Sequence, residues 1–288
     1  MGKKPKPFNG SLKKLLRIQP GTDACELDAN DMPGYPGNGK SDSDERMENL
    51  TDEFSDLQER LFAAGRTDPE TAPKVLLVLQ GMDTAGKGGV VRHAMGLVDP
   101  QGVQLKAFKA PTKEELSHHY LWRIRKELPR PGMIGIFDRS HYEDVLIVRV
   151  NELVPESRWR ARYAEINEFE AEVAASGTRI IKCFLNVSNA EQRDRLQERL
   201  DNPDKHWKYN PGDIDSRRNW DAYMAAYTDA INNCNTEAAP WYHIPADRKW
   251  YRNWAVARLV MEEIAELDLG WPKAEFDVEV ERERLSKS

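Results

Sequence analysis

Cysteine is scarce in this chain, and the three present, Cys25, Cys183 and Cys234, lie far apart. That usage excludes a disulfide scaffold and any zinc-finger spacing, and it suits a reducing compartment. Long apolar runs are missing too, so no segment reaches the length of a membrane span. The lysine-rich start (Lys3, Lys4, Lys6, Lys13, Lys14) is not followed by the apolar core of a secretory leader. A soluble, cytoplasmic protein without a membrane partner is expected. Basic excess is also lacking: the formal net charge is −6, which argues against a general nucleic-acid binder. A polyanionic partner must therefore meet a local basic patch. The histidines form no ligand pairs, and His118 and His119, adjacent in a predicted helix, diverge.

What the chain does have is apolar residue enough for a sizeable core, 40% of 288, with room for one large α/β domain or two small ones. Its organising stretch is Gly81-Met82-Asp83-Thr84-Ala85-Gly86-Lys87-Gly88-Gly89, directly after the apolar run Val75-Leu76-Leu77-Val78-Leu79. A buried strand, a glycine loop with a lysine and a helix-like stretch over 90–97 present bare backbone N–H groups to a phosphate. Gly81, Gly86 and Lys87 keep the G-x-x-x-x-G-K spacing of a phosphate-binding loop. The next position usually carries a Ser or Thr hydroxyl for magnesium, and here it is Gly88. In compensation the loop contains Asp83, a carboxylate that would repel phosphate unless a cation lay between them or it handled a proton. Asp83 is read as magnesium-organising or proton-handling, with a turn-closing Asp as the structural alternative.

Residues 1–42 carry glycine, proline and charge with little periodicity and read as an irregular arm that wraps the domain or stays mobile. Over 43–64, Met47, Leu50, Phe54, Leu57 and Leu61 recur at steps of three and four, predicting a helix whose apolar seam packs on the domain or on another subunit. A second strand is expected over 103–108. Thr112 and Glu115 have capping-box spacing, predicting a helix over 113–128 with Arg123, Arg125 and Lys126 as a solvated face. An apolar strand over 133–138 ends in a carboxylate. A helix over 156–175 stopped by Gly177, a strand over 179–187 and a helix capped by Ser188 come next. The polar segment 201–213 reads as a movable flap. A helix around Trp220 to Ile231, a strand over 241–246, a closing helix and a loose charged tail from Phe276 complete the chain. Strands alternating with helices predict a parallel sheet covered on both faces.

In such a sheet the loops at the strand C-termini gather at one edge, so the Gly81 loop and the strand end at Asp138 face the same ligand. Asp138 has the place of a second magnesium-organising acid, with helix capping as its structural alternative. Arg139 could reach phosphate oxygens with its planar fork. Arg195 and Arg199 share a helix face beside the flap, either as a solvated basic face or as a lid that closes on the transferring phosphoryl group. Candidates for holding a polyanion are Lys87, Arg92, Lys109, Lys113 and Arg139.

Taken together, the glycine loop, the strand end Phe137-Asp138-Arg139-Ser140 with His141-Tyr142-Glu143, and the stretch 201–220 with Trp207-Lys208 resemble the polyphosphate kinase 2 family, over about residues 47–267. The resemblance implies a three-layer α/β/α P-loop kinase fold of the thymidylate-kinase type, with a parallel sheet, a helical lid and here an N-terminal extension. It also implies phosphoryl transfer between inorganic polyphosphate and nucleotides, dependence on magnesium with manganese as substitute, and assembly into homodimers or homotetramers. Asp83, Lys87, Asp138 and Arg139 match the family's essential residues, with Asp83 and Asp138 toward the metal, and Arg195 and Arg199 fall in the lid region. Glu143 stands where members restricted to diphosphates often carry asparagine. An acid there resembles the subgroup that phosphorylates both mono- and diphosphates, and a capping box with Ser140 is the structural alternative. The expected division is an arm and helix over 1–70, a kinase domain over 71–270 with its lid about 189–220, and a tail over 271–288. Two other functions compete. An ATP-dependent nucleoside or nucleotide kinase is disfavoured by Asp83 beside Lys87 with Gly88 in the magnesium position; a nucleotide-binding switch is disfavoured by a residue set suited to transfer.

Overall fold

Val75 through Leu79 are at most 1% exposed, as befits a strand covered by helices on both faces. In the computed structural model, which describes residues 10–288, this run forms β1 (Lys74–Gln80) at the centre of a sheet with β2 (Val103–Ala107), β3 (Ile134–Asp138), β4 (Thr178–Asn186) and β5 (Trp241–Pro245). All pairings are parallel and the order is β2-β3-β1-β4-β5. Successive connections therefore run to opposite sides of β1, which makes its C-terminal end the point where the strand order reverses and a crevice opens. Register brings three strand ends level, because Asp138 is paired with both Leu79 and Ala107.

The helices are α1 (Leu12–Leu16), α2 (Ser43–Thr67), α3 (Lys87–His93), α4 (Lys113–Leu116), α5 (Trp122–Arg125), α6 (Ile147–Val150), α7 (Glu156–Ala175), α8 (Asn189–Asp201), α9 (Gly212–Arg218), α10 (Trp220–Asn233), α11 (Lys249–Ala265) and α12 (Val278–Ser286). α2 and α3 pack on α11, which covers β4 and β5; α6, α7 and α10 pack together, with α7 against β4. The result is the three-layer α/β/α arrangement of a P-loop kinase. The seam of α2 is used inside the chain, with Phe54 and Leu61 fully buried.

One open expectation is resolved and two change. Within the described part of the arm, Leu12, Leu16 and Ile18 are buried, the Ile18 N–H donates to Trp241 O at 3.0 Å, and Leu12 N–H donates to the Glu262 carboxylate at 2.9 Å. The arm wraps the domain along β5 and α11; Lys3, Lys4 and Lys6 lie outside the described residues. The helix over 113–128 is instead two short pieces. Thr112 and Glu115 do form the capping box, but the chain leaves the helix at Ser117 and resumes at Trp122. Tertiary contacts outweigh local propensity there. Arg123 is buried, donating to Lys109 O at 3.0 Å and to Glu115 at 3.3 Å, and Arg125 forks onto Glu172 at 2.7 Å, so neither is a merely solvated charge. Finally, part of the tail is helical: α12 has an Asp277 cap and no buried residue.

Candidate active site

The loop after β1 folds on itself. Ala85 N–H donates to Met82 O at 3.1 Å, and Gly89 and Val90 N–H share Gly86 O at 2.9 and 3.0 Å. The N–H groups of Gly86, Lys87 and Gly88 have no partner among the described residues, so they are open to an anion. Lys87 is nearly buried, and its Nζ donates to Gly81 O at 2.8 Å and to Met82 O at 3.4 Å. Thr84 (φ 66°) and Arg139 (φ 64°) are held in the left-handed region, one in the loop and one just past Asp138. Such conformations persist only where the surroundings impose them. At Arg139 the backbone N–H is tied to Leu79 O at 3.1 Å.

Arg139 is the hub. Its Nη2 donates to Asp83 Oδ1 at 2.8 Å. Burial would lower its pKa, but the carboxylates of Glu143, Asp83 and Asp138 outweigh burial and raise it. Three predicted acids thus surround one predicted cation. Asp83 turns its carboxylate to Arg139 rather than closing a turn, and the cap of the turn after β3 is Ser140, whose Oγ accepts from Tyr142 N–H at 3.2 Å, not Asp138. The Ser140–Glu143 capping box does not form. With its amide oriented so that both atoms are satisfied, Gln80 donates to Glu143 Oε1 at 3.1 Å and accepts from Ser140. Burial pushes the Glu143 pKa up against the pull of Arg139 and Lys87, which the carboxylate faces.

Behind this turn lies a buried polar network that the sequence reading did not anticipate. Lys182 Nζ donates to Glu170 at 2.6 Å, to Tyr142 Oη at 2.7 Å and to Cys234 O at 2.6 Å, while His141 Nε2 lies 3.1 Å from Glu170. It fixes the His141-Tyr142 segment between Arg139 and Glu143.

On the lid side the two arginines differ from expectation. Arg195 is buried at the middle of α8: Nε donates to Glu191 at 2.7 Å, Nη1 to Thr84 O at 2.9 Å, and Nη2 to Ala246 O and Asp247 O at 2.7 and 2.9 Å. Its guanidinium is committed to backbone under the loop, so it is a brace and neither a solvated face nor a free finger. Arg199 donates to Lys208 O at 2.9 Å and Asp213 Oδ2 at 3.2 Å, tying α8 to the flap. Asp213 is a further acid of the site that the sequence reading missed. Its pKa is pushed up to about 6, by burial and then by Asp83, against Arg199, Arg139 and Lys87. An acid at the end of a polar flap carries no distinguishing sequence signal.

Of the polyanion candidates, Lys87 and Arg139 come together. Lys109 follows the strand end beside them, where Phe108 N–H donates to Asp138 O at 2.9 Å. Arg92 at the end of α3 and Lys113 at the start of α4 are exposed, and no contact joins them to the others. Among the described residues no three His, Cys, Asp or Glu side chains form a metal site by themselves. Asp83 and Asp138 around one cation nevertheless fit magnesium, which takes one or two carboxylates and completes its shell with phosphate and water. No helix among the described residues is long and apolar enough to cross a membrane.

A parallel sheet with a phosphate loop at its switch point, facing an acid-ringed arginine, defines a P-loop phosphotransferase. The polyphosphate kinase 2 description matches residues 39–269. A Meiothermus ruber protein named AMP/ADP-polyphosphate phosphotransferase is 46% identical over 91% of this chain and 96% of its own length. A Rhodopseudomonas palustris ADP-polyphosphate phosphotransferase is 41% identical over 80% of this chain and 81% of its own. The crystal structure of polyphosphate kinase 2 from Arthrobacter aurescens TC1 superposes with a TM-score of 0.94 at 47% identity, covering 99% of this chain and all of that one. This chain belongs to the polyphosphate kinase 2 family.

Proposed function

We propose that this protein transfers a phosphoryl group between inorganic polyphosphate and nucleotides, converting AMP to ADP and ADP to ATP. The observation that carries this reading is the set of carboxylates around Arg139 beside a phosphate loop whose usual hydroxyl is replaced by Gly88. An ATP-donor loop has less need of such an acidic surround, and relatives at 46% and 41% identity bear names of polyphosphate phosphotransferases.

In the forward direction an oxygen of the acceptor's terminal phosphate bonds to the terminal phosphorus of the chain, and the bond from that phosphorus to its bridging oxygen breaks, leaving polyphosphate one unit shorter. The loop N–H groups of residues 86–88 hold the donor. Lys87, now satisfied by its own loop carbonyls, follows the outer phosphate, and Arg139, held by Asp83, aims its remaining donors at the transferring group. Asp83 and Asp138 would hold magnesium, or manganese in its place, which supplies charge neutralisation between phosphates when bound. Glu143, half-buried beside Lys87 and Arg139, would hold a water or metal that bridges the shorter monophosphate to the donor. Assembly of two or four copies remains part of the proposal.

Incubation with AMP and magnesium plus either polyphosphate or ATP, with ADP and ATP followed over time, tests the reading. ADP followed by ATP should form with polyphosphate and stop in chelator. Turnover with ATP alone as donor would replace this reading with the ATP-dependent kinase.

A further inference from the structure

Beneath the phosphate loop lies a cation that the site has not yet used. Arg252 of α11 is 3% exposed. Its Nη1 donates to Ala85 O at 3.0 Å, and Nε and Nη2 both donate to Asn253 Oδ1, at 3.2 and 2.9 Å. The peptide it grips joins Ala85 C=O to Gly86 N–H, and in a trans peptide these point in opposite directions. Arg252 therefore sits behind an N–H that has no partner among the described residues.

Buried guanidinium groups are normally matched by carboxylates, because an unmatched charge out of water is costly. Arg195, which grips the neighbouring Thr84 carbonyl, follows that rule with Glu191 at 2.7 Å. Arg252 has an amide where an acid would serve. Burial, and then the like charge of Arg195, pull its pKa down to about 9. The loop sequence is adapted to this cation: a Cβ at Gly86 would overlap the guanidinium, and one at Gly89 would come within 2.5 Å of Nη2, whereas one at Gly88 would meet nothing. Two of the loop glycines thus make room for Arg252.

We propose that Arg252 is a positioning residue whose buried charge is left without a carboxylate so that the phosphate chain in the loop supplies its counter-charge, through the Ala85–Gly86 peptide. The proposal rests on the loop binding polyphosphate, and it goes further in assigning part of that affinity to a group that never touches the ligand.

The test is the affinity of the full-length protein for tripolyphosphate, measured calorimetrically without nucleotide at low and high salt. Asn253→Asp is the decisive variant, since it places a carboxylate where two guanidinium nitrogens already donate. It should weaken binding about tenfold, flatten the salt dependence, and raise the KM for polyphosphate more than it lowers kcat, with a thermal midpoint equal to or above that of the parent. Arg252→Met should show a similar loss, and Arg252→Lys, which keeps the charge, should stay within about threefold. A merely structural arginine predicts the reverse: Asn253→Asp would bind as the parent does, and Lys would fail with Met. Either result overturns the inference alone. Absence of tripolyphosphate binding by the unmodified protein would overturn the donor reading and, with it, this inference.

Discussion

Lys87 and Arg199 are both cations of one site, yet they are held by different means. Lys87 sits in a loop that grows out of the buried β1, bonded to its own carbonyls and braced from beneath by Arg195 and Arg252. Arg199 lies in a lid of polar contacts: one backbone carbonyl, one carboxylate, and a flap that exposes 79% of Trp207 with Lys208 over its ring. Core packing makes the first half rigid before any ligand arrives, which is what electrostatic stabilisation of a spreading phosphoryl charge requires. The second half buries little apolar surface, so opening it would cost little. Grip and closure are therefore separable by mutation.

The largest effects should come from the rigid half. Lys87→Ala and Asp138→Asn should each lower initial rates of ADP formation about a hundredfold or more while circular dichroism remains that of the parent. A variant of either kind with near-parent turnover would remove that residue from the machinery. The two arginines of α8 should then separate the halves. Arg195→Ala leaves buried carbonyls without donors, so a stability loss of roughly 2–4 kcal/mol in denaturant titration should accompany its loss of rate. Arg199→Ala should reduce turnover about tenfold with little change in stability. Equal losses of stability in both would abolish the distinction between brace and lid.

A smaller effect concerns the acceptor. Glu143→Asn should cost the AMP reaction about tenfold and the ADP reaction less than about threefold, since an amide is the poorer ligand for a metal or water. Equal losses at saturating polyphosphate would make Glu143 a packing group. The smallest concerns pH. Asp213 has a folded-state pKa of about 6, above the usual carboxylate value, so the native lid binds its proton more tightly than the opened one does. Its stabilising contribution is full below the ordinary carboxylate range and is lost as pH rises through about 6. In metal-free protein, proteolysis of the 201–218 segment should be slower at pH 5 than at pH 7. Asp213→Asn should erase that difference, and a pH effect that survives it must come from other groups.

Much of the rigid half was legible because its signals are local. The G-x-x-x-x-G-K spacing, the apolar runs and the Asp138-Arg139 strand end each combine a residue type with a short spacing, and the alternation of strands and helices constrains the sheet. What escaped depends on partners distant in sequence. Arg195 looked like a lid arginine because its register on α8 cannot reveal that Thr84, Ala246 and Asp247 offer it carbonyls. Arg252 sits in an apolar closing helix and gave no sign at all. The helix expected over 113–128 broke because Arg123 is bound to Lys109 and Glu115, contacts that periodicity does not encode. The arm's docking does not show in its sequence because Leu12, Leu16 and Ile18, though all buried, are too few to show a period.

The brace at Arg195 also acts mechanically. Clamped to the loop and to the chain just past β5, the middle of α8 is a fixed point, so any swing of the lid must begin beyond it. The stiff arm from Arg195 to Asp201 is only about 9 Å long at 1.5 Å per residue. A lid hinged there would swing its tip through only a short arc, and the fixed point is fastened to the same glycine loop that presents its N–H groups at residues 86–88.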